Sequence, residues 1–124
     1  MRAIAVARRL FAGGKIETEI AWGREKPMVK KGYWIVCHLS GADGAVMAEY
    51  AKLARPVIEA AGGRLIIRGN PAKVHEAGVN EPAIVVEFES IEKAIAVYEH
   101  PAYQSALKVL DAKLKRDFRI LEGV

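Results

Sequence analysis

The chain has 124 residues, of which 52% are hydrophobic and 27% charged, with a formal net charge of +4. This length suits one ordinary domain, and the apolar content is too high for a disordered chain. No apolar run approaches the ~18 residues that a membrane-spanning helix needs, so we expect no membrane segment. The single cysteine, Cys37, excludes an intrachain disulfide and fits a cytoplasmic protein.

The positive charge is concentrated near the amino terminus. Residues 1–31 hold eight Lys and Arg against three Glu, whereas residues 32–124 hold eleven Lys and Arg against twelve Asp and Glu. Because this larger part is close to neutral, it offers little field for a nucleic-acid backbone, and we expect no nucleic-acid partner. The composition predicts a basic extension over 1–31 and one folded domain over 32–124.

The basic extension allows several interpretations. A poorly ordered extension is favoured because Gly13, Gly14, Gly23 and Pro27 interrupt any long periodicity. An amphipathic targeting arm is an alternative, although the segment lacks the Ser content of a transit peptide and the apolar core of a secretory signal. Two further alternatives are upstream sequence translated from a misplaced start before Met28, and an ordered arm that adds a strand or covers a partner.

From Tyr33 onwards the apolar pattern is regular. Residues 33–39 are rich in aromatic and β-branched residues, which is typical of a strand, and their nearly continuous apolarity predicts burial on both faces. Asp43 is placed to cap a helix that has apolar residues at three- and four-residue spacing. Pro56 is expected to kink this helix, and Gly62 with Gly63 to end it.

The next segments predict two more strands. Residues 64–68 and 83–88 are rich in Ile and Val and are bounded by turn residues. Residues 72–76, between them, are a candidate for a short edge strand.

The last third of the chain predicts helix and then strand. Ser90 is placed to cap a second helix, and Pro101 to open a further helical segment whose buried side extends to Leu114. Residues 117–122 predict the last strand.

The predicted order is therefore strand, helix, strand, strand, helix, strand. Two strand–helix–strand units of this type form an α+β, ferredoxin-like βαββαβ sandwich, in which a four-stranded antiparallel sheet carries both helices on one face. The other sheet face is apolar and uncovered in a monomer. We therefore expect a homodimer in which two sheets pack face to face.

Several short motifs occur in an order and spacing that resemble the domain-of-unknown-function 1330 family, a group within the dimeric α/β-barrel superfamily. The motifs are Gly32-Tyr33-Trp34-Ile35, Glu49-Tyr50, Gly62-Gly63-Arg64, Arg68-Gly69-Asn70-Pro71-Ala72-Lys73, Val86-Glu87-Phe88, Ser90, Pro101-Ala102-Tyr103-Gln104 and Arg119-Ile120-Leu121-Glu122-Gly123. The resemblance covers about residues 32–124 and implies the ferredoxin-like fold and a homodimer. It implies no settled activity, because the wider superfamily contains cofactor-independent monooxygenases, isomerases and other small-molecule proteins.

The chain departs from the family pattern at three positions. Pro82 and Leu110 stand where many members carry Arg, and His100 replaces the usual Ser before Pro101. Any anion-binding role of those two arginines is therefore not expected here.

Strand alternation sorts the remaining polar residues by face. Arg64 and Arg68 are expected to point together from the second strand. The third strand is expected between the first and the second, so Glu87 is expected to have His38 on one side and Arg68 or Arg64 on the other.

We hypothesise a catalytic site in which His38 acts as base, Glu87 sets its tautomer, and Arg68 holds an acidic group of a substrate. The predicted substrate-binding residues are Arg68, Arg64, Trp34 and Tyr50. The protein would then bind or transform a small organic molecule in a cavity of roughly 300 Å³ or more between sheet and helices. The alternative is a non-catalytic homodimeric interaction module with a purely structural Arg–Glu pair and a filled interior.

Other chemistry-bearing residues favour structural interpretations. The three histidines lack metal-ligand spacing, and the chain has no phosphate loop, dinucleotide fingerprint or nucleophile elbow, so we expect neither metal nor cofactor. Cys37 and His38 are strand neighbours that point to opposite faces, and Cys37 is expected in the core. Tyr103 is expected to be a packing residue, and Arg116 to end a solvated helix.

Overall fold

A computed structural model describes residues 29–41, 43–110 and 114–124 of the chain. All but the last three residues of the predicted basic extension lie outside this range, so that prediction stays open. The elements are β1 (Gly32–Ser40), α1 (Gly44–Ala60), β2 (Arg64–Gly69), β3 (Ala83–Phe88), α2 (Ile91–Glu99), α3 (Pro101–Leu107) and β4 (Lys115–Glu122).

The four strands form one antiparallel sheet in the order β2-β3-β1-β4. Helix α2 packs against β1, β3 and β4, and α1 packs against α3. The predicted α+β, ferredoxin-like sandwich is confirmed, with β3 between β1 and β2 as expected. Within the described ranges, no helix combines the length and apolarity needed to cross a bilayer.

Side-chain caps set where the helices begin, as predicted for Asp43 and Ser90. The Asp43 carboxylate accepts from the backbone N–H groups of Ala45 (2.9 Å) and Val46 (3.2 Å), and the Ser90 hydroxyl accepts from that of Lys93 (3.1 Å). These acceptors satisfy N–H groups that have no partner within the helix. Helix α1 continues through Pro56 to Ala60.

The core is built around Trp34, which is 1% exposed. Its indole Nε1–H donates to the backbone oxygen of Ala94 in α2 at 2.9 Å. Its ring centroid lies 5.0 Å from those of Phe88 and Tyr103 and 5.1 Å from that of Phe118. Burying this aromatic area joins the sheet to the helices, and the occupied N–H avoids an unpaired polar group in the core.

A β-bulge in β2 changes the predicted faces. Arg64 pairs with Glu87 and Arg68 with Ile84, and the register shifts between Leu65 and Ile67. The extra residue places Arg64 and Arg68 on opposite faces of the sheet, because directly paired residues share a face. The prediction that the two arginines point together was therefore wrong.

Element boundaries differ from the predictions at three places. Residues 72–76 form turns and coil instead of an edge strand. Helix α3 ends at Leu107 instead of continuing to Leu114. Strand β4 begins at Lys115, two residues earlier than predicted, so Arg116 belongs to the sheet and does not end a helix.

The sheet face away from the helices, here called the open face, carries a mixture of apolar and charged residues. Its members, identified from the strand register, are Tyr33, Ile35, Cys37, Arg64, Ile67, Val85, Glu87, Asp117, Arg119 and Leu121. Ile67 is 58% exposed and Leu121 47% exposed. Cys37 is exposed on this face and was wrongly predicted to lie in the core, because only the helix side of β1 is buried within one chain.

At Gly32, β1 lies so close to the start of α2 that a side chain has no room. A Cβ at this position would meet the backbone oxygen of Ser90 and, at 2.7 Å, the backbone nitrogen of Ile91. Because this backbone starts a capped helix and cannot easily retreat, Gly32→Ala is expected to lower the free energy of unfolding by about 1–3 kcal/mol. Urea denaturation measures this loss.

Gly44→Ala is the matched control for that substitution. No atom lies within 4 Å of a Cβ built on Gly44, at the start of α1. This variant is expected to keep or slightly increase stability, since Ala favours helix over Gly by up to about 1 kcal/mol. Equal losses in the two variants would contradict a close contact at Gly32.

Candidate functional site

The fold divides the six predicted site residues between the two sides of the sheet. Trp34, His38 and Tyr50 are buried on the helix side. Arg64 and Glu87 lie together on the open face, as one form of the prediction required. Arg68 is exposed on the edge strand β2, away from this pair.

The Glu87 carboxylate has a partner for each oxygen. Arg64 Nη2 donates to Oε1 at 2.8 Å, and the Tyr33 hydroxyl donates to Oε2 at 2.9 Å. These bonds, that of Arg64 first and then that of Tyr33, hold the pKa of Glu87 below its ordinary value. The same contact with Glu87, followed by burial, raises the pKa of the Tyr33 hydroxyl.

His38 lies at the other end of β1 from this group. It pairs with Arg116 of β4, whereas Glu87 pairs with Tyr33, near the start of β1. The antiparallel register and the side-chain alternation therefore separate His38 and Glu87 along the strand and place them on opposite faces. The hypothesis that Glu87 sets the tautomer of His38 was wrong for this reason.

Four polar side chains instead gather on the helix side at the His38 end of the sheet. This inner polar cluster consists of His38, Tyr50, Tyr103 and Arg116. The hydroxyls of Tyr50 and Tyr103 lie 2.5 Å apart. The Arg116 Cζ lies 5.4 Å from the centroid of the Tyr50 ring and 5.2 Å from that of Phe118, which is cation–π distance.

The imidazole of His38 is the unusual member of the cluster. The residue is 8% exposed, and its buried Nδ1 has no hydrogen-bond partner among the described residues. Burial lowers the pKa of His38, the charge of Arg116 lowers it further, and Glu81 opposes the shift. The ring is therefore neutral near pH 7, and a neutral imidazole can accept a proton at one nitrogen.

The tyrosines and the arginine supply the other chemistry. Burial, followed by the nearby Tyr50, raises the pKa of Tyr103, so its hydroxyl stays protonated. Arg116 is half-buried and forms no ion pair with an acid among the described residues. The cluster therefore combines a proton acceptor, hydroxyl donors and a cation.

Sequence reasoning missed Tyr103 and Arg116 as site candidates. Tyr103 is fully buried, as a packing residue would be, and its hydroxyl contact with Tyr50 is a feature of the tertiary structure that no sequence pattern shows. Arg116 had a usable signal, because alternation backwards from Ile120 and Phe118 places it on the helix side. The predicted strand begins at Asp117, whereas β4 begins at Lys115, so the prediction leaves Arg116 outside the sheet.

A groove of about 520 Å³ lies between the helices, away from the cluster. Its lining residues are Pro56, Val57, Ala60, Ala61, Lys93, Ala96, Val97, His100 and Ala102. Neither His38 nor Glu87 lies on its wall, so this groove is not the cavity expected from the sequence. Among the residues that the structure describes, no three His, Cys, Asp or Glu side chains are grouped as metal ligands would be.

The electrostatic coupling of His38 to Arg116 can be measured by NMR titration. We expect the pKa of His38 in the folded protein to lie below its ordinary value of 6.5. Arg116→Gln removes a positive charge that disfavours the imidazolium and should raise this pKa. Arg55→Gln, on the exposed surface of α1, is the control and should leave it unchanged.

The same shift makes stability depend on pH. Because the unfolded chain takes up the His38 proton near pH 6.5 and the folded chain only at lower pH, this contribution destabilises the fold as the pH falls below that value.

In the NMR titration, a His38 pKa at or above the ordinary value, or one that Arg116→Gln does not move, would contradict the electrostatic coupling of His38 to Arg116.

Comparison with solved structures places the fold among proteins of mostly unknown function. A protein of unknown function from Rhodopseudomonas palustris has a TM-score of 0.59 at 17% identity, over 77% of this chain and 83% of that one. A dimeric ferredoxin-like protein of unknown function from Thermobifida fusca has a TM-score of 0.52 at 15% sequence identity, and the match covers 77% of this chain and 92% of that one. SnoaB, a cofactor-independent oxygenase from Streptomyces nogalater, has a TM-score of 0.54 at 6% sequence identity, and the match covers 77% of this chain and 95% of that one.

At these identities the likeness shows the shared fold and does not carry an activity to this chain. A search of curated proteins finds no match. A sequence model for a domain of unknown function, DUF1330, matches residues 31–124. This range is the predicted folded domain, 32–124, with Lys31 added at its start. The chain therefore belongs to the DUF1330 family.

Proposed function

We propose that this protein binds or transforms a small organic molecule between its sheet and its helices, at the inner polar cluster, and that it works as a homodimer. The observation that carries the proposal is the buried Nδ1 of His38, which has no hydrogen-bond partner among the described residues. We further propose the cytosol as its compartment, on the use of a single cysteine alone.

An unpartnered buried polar atom costs the fold about 1–3 kcal/mol, so it needs a reason to persist. A ligand that bonds to His38 supplies one. In this proposal the neutral imidazole takes a proton from the bound molecule, while the Tyr50 and Tyr103 hydroxyls orient it. His38 and Tyr50 keep the roles proposed from the sequence. Glu87 leaves the site because the register places it on the other face of the sheet from His38. Arg68 leaves it because β2 is an exposed edge strand that β3 separates from β1.

The likeness to a cofactor-independent oxygenase supports the broad class of function only. Such a protein shows that this fold can hold a reaction that requires no bound cofactor. Side chains of the inner polar cluster can supply acid–base chemistry in the same way, and for this chain a cofactor-free site remains our prediction.

Ligand binding at the cluster is tested by thermal shift with a panel of small aromatic and aliphatic acids, amides and alcohols. A ligand at ~100 times its Kd adds about 2.7 kcal/mol of stability, which raises the Tm of a domain of this size by ~10 °C or more. His38→Gln should reduce the shift, and His75→Gln, in an exposed loop, should not. If no compound raises the Tm of the wild-type protein, the proposal loses its support.

A non-catalytic homodimeric module is the second candidate. The observation that favours it is the Tyr33–Glu87–Arg64 group on the open face, in which both oxygens of the Glu87 carboxylate are already bonded. Such a paired carboxylate serves structure or interface better than catalysis. The two candidates share the dimer and differ in whether the inner polar cluster takes up a ligand.

Sheet-to-sheet pairing is tested by the oligomeric state. Ile67 and Leu121 are apolar and exposed on the open face, and covering them against a second copy would remove them from water. Leu121→Lys is expected to shift the dimer to monomer in sedimentation velocity. It should also speed the reaction of Cys37, on the same face, with a thiol reagent.

Leu53→Lys is the matched control, because Leu53 is 46% exposed on α1 and Leu121 is 47% exposed on the sheet. This variant should remain dimeric, with Cys37 as slow to react as in the wild type. A wild-type chain that stays monomeric at high concentration would refute the paired sheets without bearing on the ligand.

A further inference from the structure

Three arginines of the sheet differ in whether an acidic side chain compensates their charge. On the open face, Arg64 lies 2.8 Å from a Glu87 oxygen, and Arg119 donates to both oxygens of Asp117 at 2.9 and 3.1 Å. On the helix side, Arg116 has aromatic rings as its neighbours and forms no ion pair with an acid among the described residues. Within the described part of the chain, the more buried of these cations is thus the one that lacks an acidic partner.

Removing an arginine from water is costly unless an anion compensates its charge. The rings of Tyr50 and Phe118 supply part of that compensation through cation–π attraction. A guanidinium still presents a fork of N–H donors that matches a carboxylate in two parallel hydrogen bonds. Among the described residues, no carboxylate compensates the charge of Arg116 within the inner polar cluster.

The surroundings of Arg116 also restrict the shape of an occupant. Tyr50, Tyr103 and Phe118 are linked by ring contacts to Trp34, so this end of the core is largely aromatic. Aromatic walls favour a flat, unsaturated molecule, because stacked and edge-on ring contacts add to simple burial. In addition to the Arg116 guanidinium, the Nδ1 atom of His38 can form a hydrogen bond with such a molecule.

We propose that the ligand of the inner polar cluster is a small planar organic acid, bound as its anion, with its carboxylate on Arg116 and its unsaturated frame among the aromatic rings. This inference rests on the proposed function and narrows its substrate class. It moves the acid-binding role, predicted from the sequence for Arg68, to Arg116, which lies on the other face of the sheet from the Glu87 group.

Isothermal titration of the full chain with benzoate and with benzamide tests the charge requirement. The two probes have nearly the same shape, and only benzoate is negatively charged. The wild-type protein should bind benzoate at least about tenfold more tightly, the order expected for a charge-assisted bond. Arg116→Gln should abolish this preference, Arg116→Lys should retain part of it, and Arg55→Gln should leave it intact.

A second measurement keeps the test valid if Arg116→Gln does not fold. In the wild-type protein, bound benzoate should raise the pKa of His38 in an NMR titration, because an anion beside the ring favours its charged form, and benzamide should not. Benzamide binding as tightly as benzoate would overturn this inference and leave the proposed function standing. Failure of both probes and of the whole compound panel would overturn the proposed function itself.

Discussion

The packing of Trp34 is the contact on which the rest of the structure depends. Its ring joins β1 to β3, β4 and α3 through Phe88, Phe118 and Tyr103, and its N–H is bonded to the backbone of α2. One side chain thereby connects most of the sheet to two helices. The positions of Tyr103 beside Tyr50, and of β4 beside β1, follow from this packing, and with them the inner polar cluster.

Side-chain alternation then separates two kinds of chemistry. On the open face the charges of Arg64, Glu87, Asp117 and Arg119 are matched in ion pairs. On the helix side, a neutral histidine and an arginine lie among aromatic rings, without such matching in the described residues. Matched charges suit a surface or an interface, whereas an unmatched cation and an unbonded imidazole suit a place where another molecule binds.

The cluster and the open face are physically independent, although β1 contributes to both. Tyr33 and Cys37 point to one side, and Trp34 and His38 to the other. A second copy can cover the open face without touching His38, and a ligand can contact His38 without changing the open face. Family membership and fold are consistent with either role alone, so the inner polar cluster carries the functional proposal.

Local chemistry determined much of this protein from its sequence: the caps at Asp43 and Ser90, the strand at 83–88, and the element order. These features depend on residues close in the chain or on simple alternation. The tertiary structure alone decided the rest. The bulge in β2 separated Arg68 from Arg64, the antiparallel register separated His38 from Glu87, and the early start of β4 brought Arg116 inside. A one-residue change in register moves a side chain to the other face, and register is settled by packing across the whole sheet.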